Sequence, residues 1–155
     1  MAFAILAAAQ ARAAGRADDL RAFFKSFEGG WSYVVVDPAT KKTIDEESFE
    51  VAAKDADSWM VAGGGCSTPV SGSGMCGDYQ GVYRIVGVEL RGSRGELLTV
   101  TTLTSTVLVF EDHTGSGTVF KIRWELLPNG RFSRSTTLER NGVAVGPTET
   151  RTFHR

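Results

Sequence analysis

At Gly29-Gly30 the apolar period of this chain changes, and that change limits its fold more than any other feature. Before the two glycines, Leu20, Phe23, Phe24 and Phe27 recur at i, i+3, i+4 and i+7, which places them on one face of a helix. Asp18 and Asp19 stand where a helix start favours acids, and the glycines end the run. After them the pattern alternates to the C-terminus. Trp31 follows the turn at once. A tight turn and then a bulky aromatic suit the closed base of a small β-barrel.

The alternation predicts strands near 31–37, 43–53, 58–63, 79–90, 95–104, 106–113, 118–127, 130–141 and 148–154. Turn chemistry marks the breaks: Asp37-Pro38, Gly92-Ser93, Gly115-Ser116-Gly117, Pro128-Asn129-Gly130, Asn141-Gly142 and Gly146-Pro147. No connection is long enough for a crossover helix, which disfavours parallel pairing. A consecutive antiparallel meander of this size closes most easily on itself. The expected fold is therefore all-β, an antiparallel up-and-down β-barrel of 8–10 strands with a short N-terminal helix. The 155 residues suit one such domain, over 18–155, and the 18 glycines suit its many turns.

Residues 1–17 form a separate unit of the sequence. Their apolar run and the Ala-x-Ala options at Ala9-Gln10-Ala11 and Ala11-Arg12-Ala13 suit the end of a secretory signal peptide, though no basic residue precedes the run. An organelle transit peptide and an Ala-rich helix that belongs to the fold stand beside that reading. The run is too short to span a bilayer. Cys66 and Cys76 flank a Ser/Gly-rich loop, and an even count at close spacing suits a disulfide in an oxidising compartment. The expected location is periplasmic or secreted, or else organellar or cytoplasmic if 1–17 is retained.

Phase along the strands nominates the lumen. Phe120, Ile122, Trp124 and Leu126 share one face of 118–127, and Phe49 and Val51 set the phase of 43–53. Trp31, Tyr33 and Val35 alternate with Ser32, Val34 and Val36, so that strand has apolar residues on both faces, and the helix is expected over its outer side. Arg134 is in phase with Phe132, and Arg151 with Phe153. A buried arginine needs a partner. A ligand carboxylate or phosphate would serve, and so would an internal acid.

Gly29-x-Trp31 after a helix, with an arginine near the C-terminus, resembles the calycin superfamily, which includes the lipocalins and fatty-acid-binding proteins. Gly77-Asp78-Tyr79 followed by Tyr83 is similar to the Thr-Asp-Tyr motif of lipocalins, with glycine in place of threonine. Arg151-Thr152-Phe153 is similar to the Arg-x-Tyr of the fatty-acid-binding branch, with phenylalanine in place of tyrosine. The layout over 20–155 also looks like bacterial lipocalin-like domains. The resemblance implies that Gly29 and Trp31 close the barrel, with Arg151 or Arg155 over the indole.

The function expected from these residues is non-catalytic binding of a small hydrophobic or amphipathic ligand, with an anionic head as one option. Trp59, Tyr83, Phe120, Ile122, Trp124 and Phe132 would wall the site, and Arg134 and Arg151 would orient the head. The alternative is a filled barrel that serves as an assembly subunit and meets a protein partner through its N-terminal segment. An enzyme ranks third, because no motif nominates a nucleophile or general base. A net charge of −1 argues against nucleic acid as the partner. No cofactor or metal is expected. His113 and His154 read as solvated, and Asp45-Glu46-Glu47 with Glu50 reads as a solvated acidic edge.

Overall fold

The structure is a computed structural model. It describes residues 2–68, 74–115 and 117–155, with the side chains of 2–14 outside the description. One helix, α1 (Ala2–Phe27), precedes eleven strands. They are β1 (Gly29–Val36), β2 (Thr43–Asp55), β3 (Ser58–Ser67), β4 (Met75–Val86), β5 (Glu89–Arg91), β6 (Leu97–Leu103), β7 (Val107–Thr114), β8 (Thr118–Leu127), β9 (Arg131–Arg140), β10 (Val143–Ala144) and β11 (Glu149–His154).

Each strand from β1 to β9 pairs antiparallel with the next, and β11 lies between β9 and β1. The result is a closed antiparallel barrel of ten strands, with β10 a short addition beside the far end of β9. The closure is uneven: β4 meets β5 only over Arg84, Ile85 and Val86, and β1 meets β11 at Ser32 and His154. The tight turns follow from their residues. Asn129, Gly130, Asn141 and Gly142 all have positive φ, which asparagine and glycine tolerate and which matches the twist of a hairpin.

Three stretches depart from the sequence expectation. The strand expected over 79–90 begins at Met75 and breaks after Val86 into β4 and β5, where Gly87 turns the chain with a positive φ. The strand expected to end at 63 runs on through Gly63-Gly64-Gly65 to Ser67. Glycine is a poor strand former, but a Cβ at Gly63 would run into the backbone of Ser48, and one at Gly65 would lie 2.5 Å from the Glu46 carbonyl. The close approach of β2 thus requires these glycines. The helix is also longer than the apolar pattern indicated. Asp18 lies inside it and pairs with Arg21 at 2.8 Å instead of capping its start.

The C-terminal turns of α1 plug one end of the barrel. Leu20, Phe23, Phe24 and Phe27 are buried against the ends of the strands. Phe24 stacks on Trp59 with ring centroids 4.9 Å apart, and Phe27 meets Phe132 at 4.6 Å and Trp124 at 5.0 Å. Polar ties hold the plug: Arg21 reaches Asp57 in the β2–β3 turn at 2.7 Å, and Arg16 donates to the Val100 carbonyl at 2.8 Å. The helix therefore closes the base and does not lie over the outer face of β1. Val34 and Val36 there remain 55% and 45% exposed, contrary to the sequence expectation.

Trp31 sits in this base. Its indole nitrogen donates to the Phe27 carbonyl at 2.9 Å, and the Arg155 guanidinium lies 4.7 Å from its ring centroid. Arg155 also donates to the carbonyls of Ser26 and Glu28. The last residue thus clamps the helix end to the first strand, and Arg151 is elsewhere.

Candidate functional site

The barrel has a filled base and a charged mouth, and the strands that build one build the other. On β2 the inward positions read Val51, Phe49, Glu47 and Asp45 from base to mouth. On β9 they read Phe132, Arg134 and Thr136, and on β11 Phe153 and Arg151. Each strand changes from apolar to charged at the same height.

Glu47 is the centre of the mouth and is only 5% exposed. Its Oε1 accepts from Arg134 Nη1 at 2.8 Å and from the Tyr79 hydroxyl at 2.6 Å. Its Oε2 accepts from Arg134 Nη2 at 2.6 Å and from Arg151 Nη1 at 2.7 Å. Arg134 and Arg151 are direct cross-strand partners, an arrangement that repels without an acid between them. Glu47 reaches them from β2, which is two strands away from β11 on the same inner face. Arg151 is also 3.5 Å from Asp45 and 2.8 Å from Glu149.

These contacts set the protonation states. Burial pushes the Glu47 carboxyl up, but the bonds from Arg134, Tyr79 and Arg151 outweigh it and hold the carboxyl below its ordinary value. Burial works against the Arg151 charge, and Glu47, Glu149 and Asp45 overcome it. The Tyr79 hydroxyl is raised by burial and by its bond to Glu47. The cluster is therefore an ionised network whose tyrosine keeps its proton.

Between this network and the aromatic base lies a cavity of about 220 Å³. Phe27, Phe49 and Phe132 form its floor, and Val61, Tyr83, Ile122 and Trp124 its walls. Tyr79, Arg134 and Thr136 border it on the mouth side. Tyr79 and Arg134 also border an open recess of about 470 Å³ at the mouth, with Asp45, Glu47, Glu149 and Arg151. Tyr83, half-buried beside Trp124 with ring centroids 5.0 Å apart, has its hydroxyl pushed up to about 12 by desolvation.

Five residues expected in the site line the cavity: Tyr83, Ile122, Trp124, Phe132 and Arg134. Trp59 lies in the base instead, stacked under Phe24, and its indole nitrogen donates to Glu28 at 2.9 Å. Phe120 does not border the cavity, and Arg151 borders the mouth recess. Phe27 of the helix face, Phe49 of the β2 phase and Tyr79 of the Gly-Asp-Tyr motif also line the cavity. In sequence, Glu47 reads as part of a solvated edge, yet it is buried here. Its spacing of two from Phe49 was the signal that it points inward.

Cys66 and Cys76 face each other across β3 and β4 and are bonded to one another. They sit on the outer side of the wall whose inner side carries Gly65, Gly77 and Tyr79, and they close the hairpin whose residues 69–73 lie outside the description. Ser116, in the expected 115–117 turn, also lies outside it. His113 is exposed and 3.2 Å from Glu111. Among the described residues, no group of three or more His, Cys, Asp or Glu is placed to hold a metal. None of their helices is long and apolar enough to cross a membrane. No family model matches this chain, and no curated protein matches it.

Proposed function

We propose that this chain is a lipocalin-like binding protein that holds a small apolar or amphipathic molecule in the upper lumen of its barrel. The observation that carries this reading is the cavity of about 220 Å³ between the aromatic base and the Glu47 network. Apolar walls supply burial and a few polar groups supply orientation, the usual make-up of a small-ligand site. Kinship with the calycins is supported by the closed meander, the helix in the base, and Trp31 under a C-terminal arginine. The bonded cysteines support a secreted or periplasmic location, because such bonds persist where thiols are not kept reduced.

A second reading draws on a different observation. The lower half of the lumen is packed solid with aromatics, and Val34 and Val36 are exposed outside it. A barrel filled in this way suits an assembly subunit that docks on a larger complex. Native mass spectrometry separates the two. Protein purified from its source is expected to carry a bound mass of a few hundred daltons or less, released on unfolding. Thr136→Phe, which fills the cavity, is expected to remove it. A chain with no bound mass, and no shift with a panel of small apolar molecules, would overturn the binding reading in favour of docking.

A further inference from the structure

The barrel wall is incomplete between β4 and β7. β4 pairs with β3 from Met75 to Arg84, but its other side meets β5 only at Arg84, Ile85 and Val86. The short hairpin of β5 and β6 turns back at residues 92–96. From there to the mouth, that side of β4 has no strand beside it among the described residues.

Alternation fixes which backbone groups this leaves open. Ile85 donates to the Asp57 carbonyl on the β3 side, so Arg84 and Val86 face β5. Every second residue before them faces the same way: Val82, Gln80, Asp78 and Cys76. Cys66 and Cys76 agree, since their Cα atoms are 4.1 Å apart, the close spacing of a pair that exchanges no ladder bonds. The Val82 N–H is met by the Ser93 hydroxyl at 2.6 Å. The N–H and C=O of Cys76, Asp78 and Gln80 have no ladder partner among the described residues, and 75–80 are all exposed.

This edge also lacks the usual protection against pairing. Residues 75–81 include no lysine, no proline and no bulge, and Asp78 is their one charge. An open edge of this kind binds an extended segment through main-chain bonds, and pockets beside it select alternate side chains. One such pocket lies at its lower end. A notch of about 90 Å³ beside Gly81 is walled by Leu98, Phe110 and Ile122 and carries Glu96 and Asp112. Its volume is below the ~150 Å³ that admits benzene, so it suits an unbranched side chain better than a ring. His113 and Lys121 both pair with Glu111, which leaves Asp112 without an ion-pair partner among the described residues. Arg94 is 4.0 Å from Glu96 and its side chain is 79% exposed.

We propose that the free edge of β4 takes an extended peptide segment of another protein, paired antiparallel, with a lysine opposite Gly81 whose ammonium meets Asp112 and Glu96. Directly opposed residues share a face of the sheet, and Gly81 lies in phase with the inward-facing Tyr79 and Tyr83. Glycine there leaves the space clear for the partner's side chain, whose apolar stem lies along Leu98, Phe110 and Ile122. A second copy of this chain is a poorer occupant. Its own β4 would bring another Asp78 and no base to an edge that already has three acids. The proposal is independent of what the lumen holds.

The test titrates the full chain with terminally blocked heptapeptides. They have threonine at odd positions and valine at the fourth and sixth, and the second residue is lysine, norleucine or glutamate. The lysine peptide is expected to bind about tenfold more tightly than the norleucine peptide, the low end of what a hydrogen bond to a charged group supplies, and the glutamate peptide most weakly. Binding should shift the amide resonances of Asp78 and Gln80 and slow their hydrogen exchange. A lysine peptide N-methylated at its third and fifth residues cannot pair with β4 and should not bind. Asp112→Asn should cut the advantage of lysine over norleucine at least threefold and leave norleucine affinity within about twofold. Equal affinity for lysine and glutamate, or undiminished binding of the N-methylated peptide, would overturn the proposal, as would no binding of any peptide. A dimer in sedimentation, with Asp78 and Gln80 protected from exchange before any peptide is added, would give the edge to a second copy instead.

Discussion

The base and the mouth of this barrel are built by the same strands and held by opposite physics. At the base, Phe24, Phe27, Phe132 and Phe153 interlock with Trp31, Trp59 and Trp124, and their contacts are dispersion and the removal of apolar surface from water. At the mouth, a buried carboxylate is held by two arginines and a tyrosine. The base tolerates any pH but no loss of volume. The mouth tolerates some change of shape but no loss of charge balance. The cavity lies where one regime gives way to the other, because neither aromatic packing nor ion pairing fills that height.

The largest expected effect is at the base. Phe27→Ala removes a side chain that touches Trp31, Phe49, Trp124 and Phe132, and should cost about 3–5 kcal/mol in urea unfolding. That cost should be the same at pH 7 and pH 4. A cost that changes with pH would break the separation of the two regimes.

Glu47→Gln should cost about 3 kcal/mol at neutral pH, because it removes the charge that bridges Arg134 and Arg151 and leaves Arg134 without its acid. The sign of its pH dependence follows from the direction of the shift. The Glu47 carboxyl is held below its ordinary value of 4.5, so its contribution is present above that pH and is lost as pH falls through the lower folded value. Parent and Glu47→Gln stabilities should therefore converge in acid. A constant gap down to pH 2 would show that the glutamate acts by shape and not by charge.

A smaller effect is expected at the hairpin beside the mouth. Replacing Cys66 and Cys76 by serine frees a loop of ten-residue separation and should cost about 2 kcal/mol. Since the pair lies on the outer face, the pH dependence assigned to Glu47 should survive in this variant. Its disappearance would show that the bond, through Gly65 and Gly77, positions the network.

Much of the architecture could be read from residue order. β8 was expected at 118–127 and occupies that range, because Phe120, Ile122, Trp124 and Leu126 alternate cleanly with charged residues. Asn141-Gly142 turns as its chemistry requires. β3 was cut short because glycine signals a break in a single strand, and only the neighbouring β2 backbone shows why glycine is needed there. Glu47 was missed because three adjacent acids resemble a solvated run. Strand alternation in fact sends Glu46 outward and Asp45 and Glu47 inward.

Residue order is enough to assign the class of fold and the phase of its strands. These depend on local period and turn residues, and both are properties of neighbours along the chain. Tertiary packing settled which arginine covers Trp31, that one acid bridges two arginines from other strands, and that Trp124 lines the cavity. Those outcomes depend on closure, which brings β2, β9 and β11 around one lumen. Phase indicates that a residue points inward. Only the closed barrel decides what it meets there.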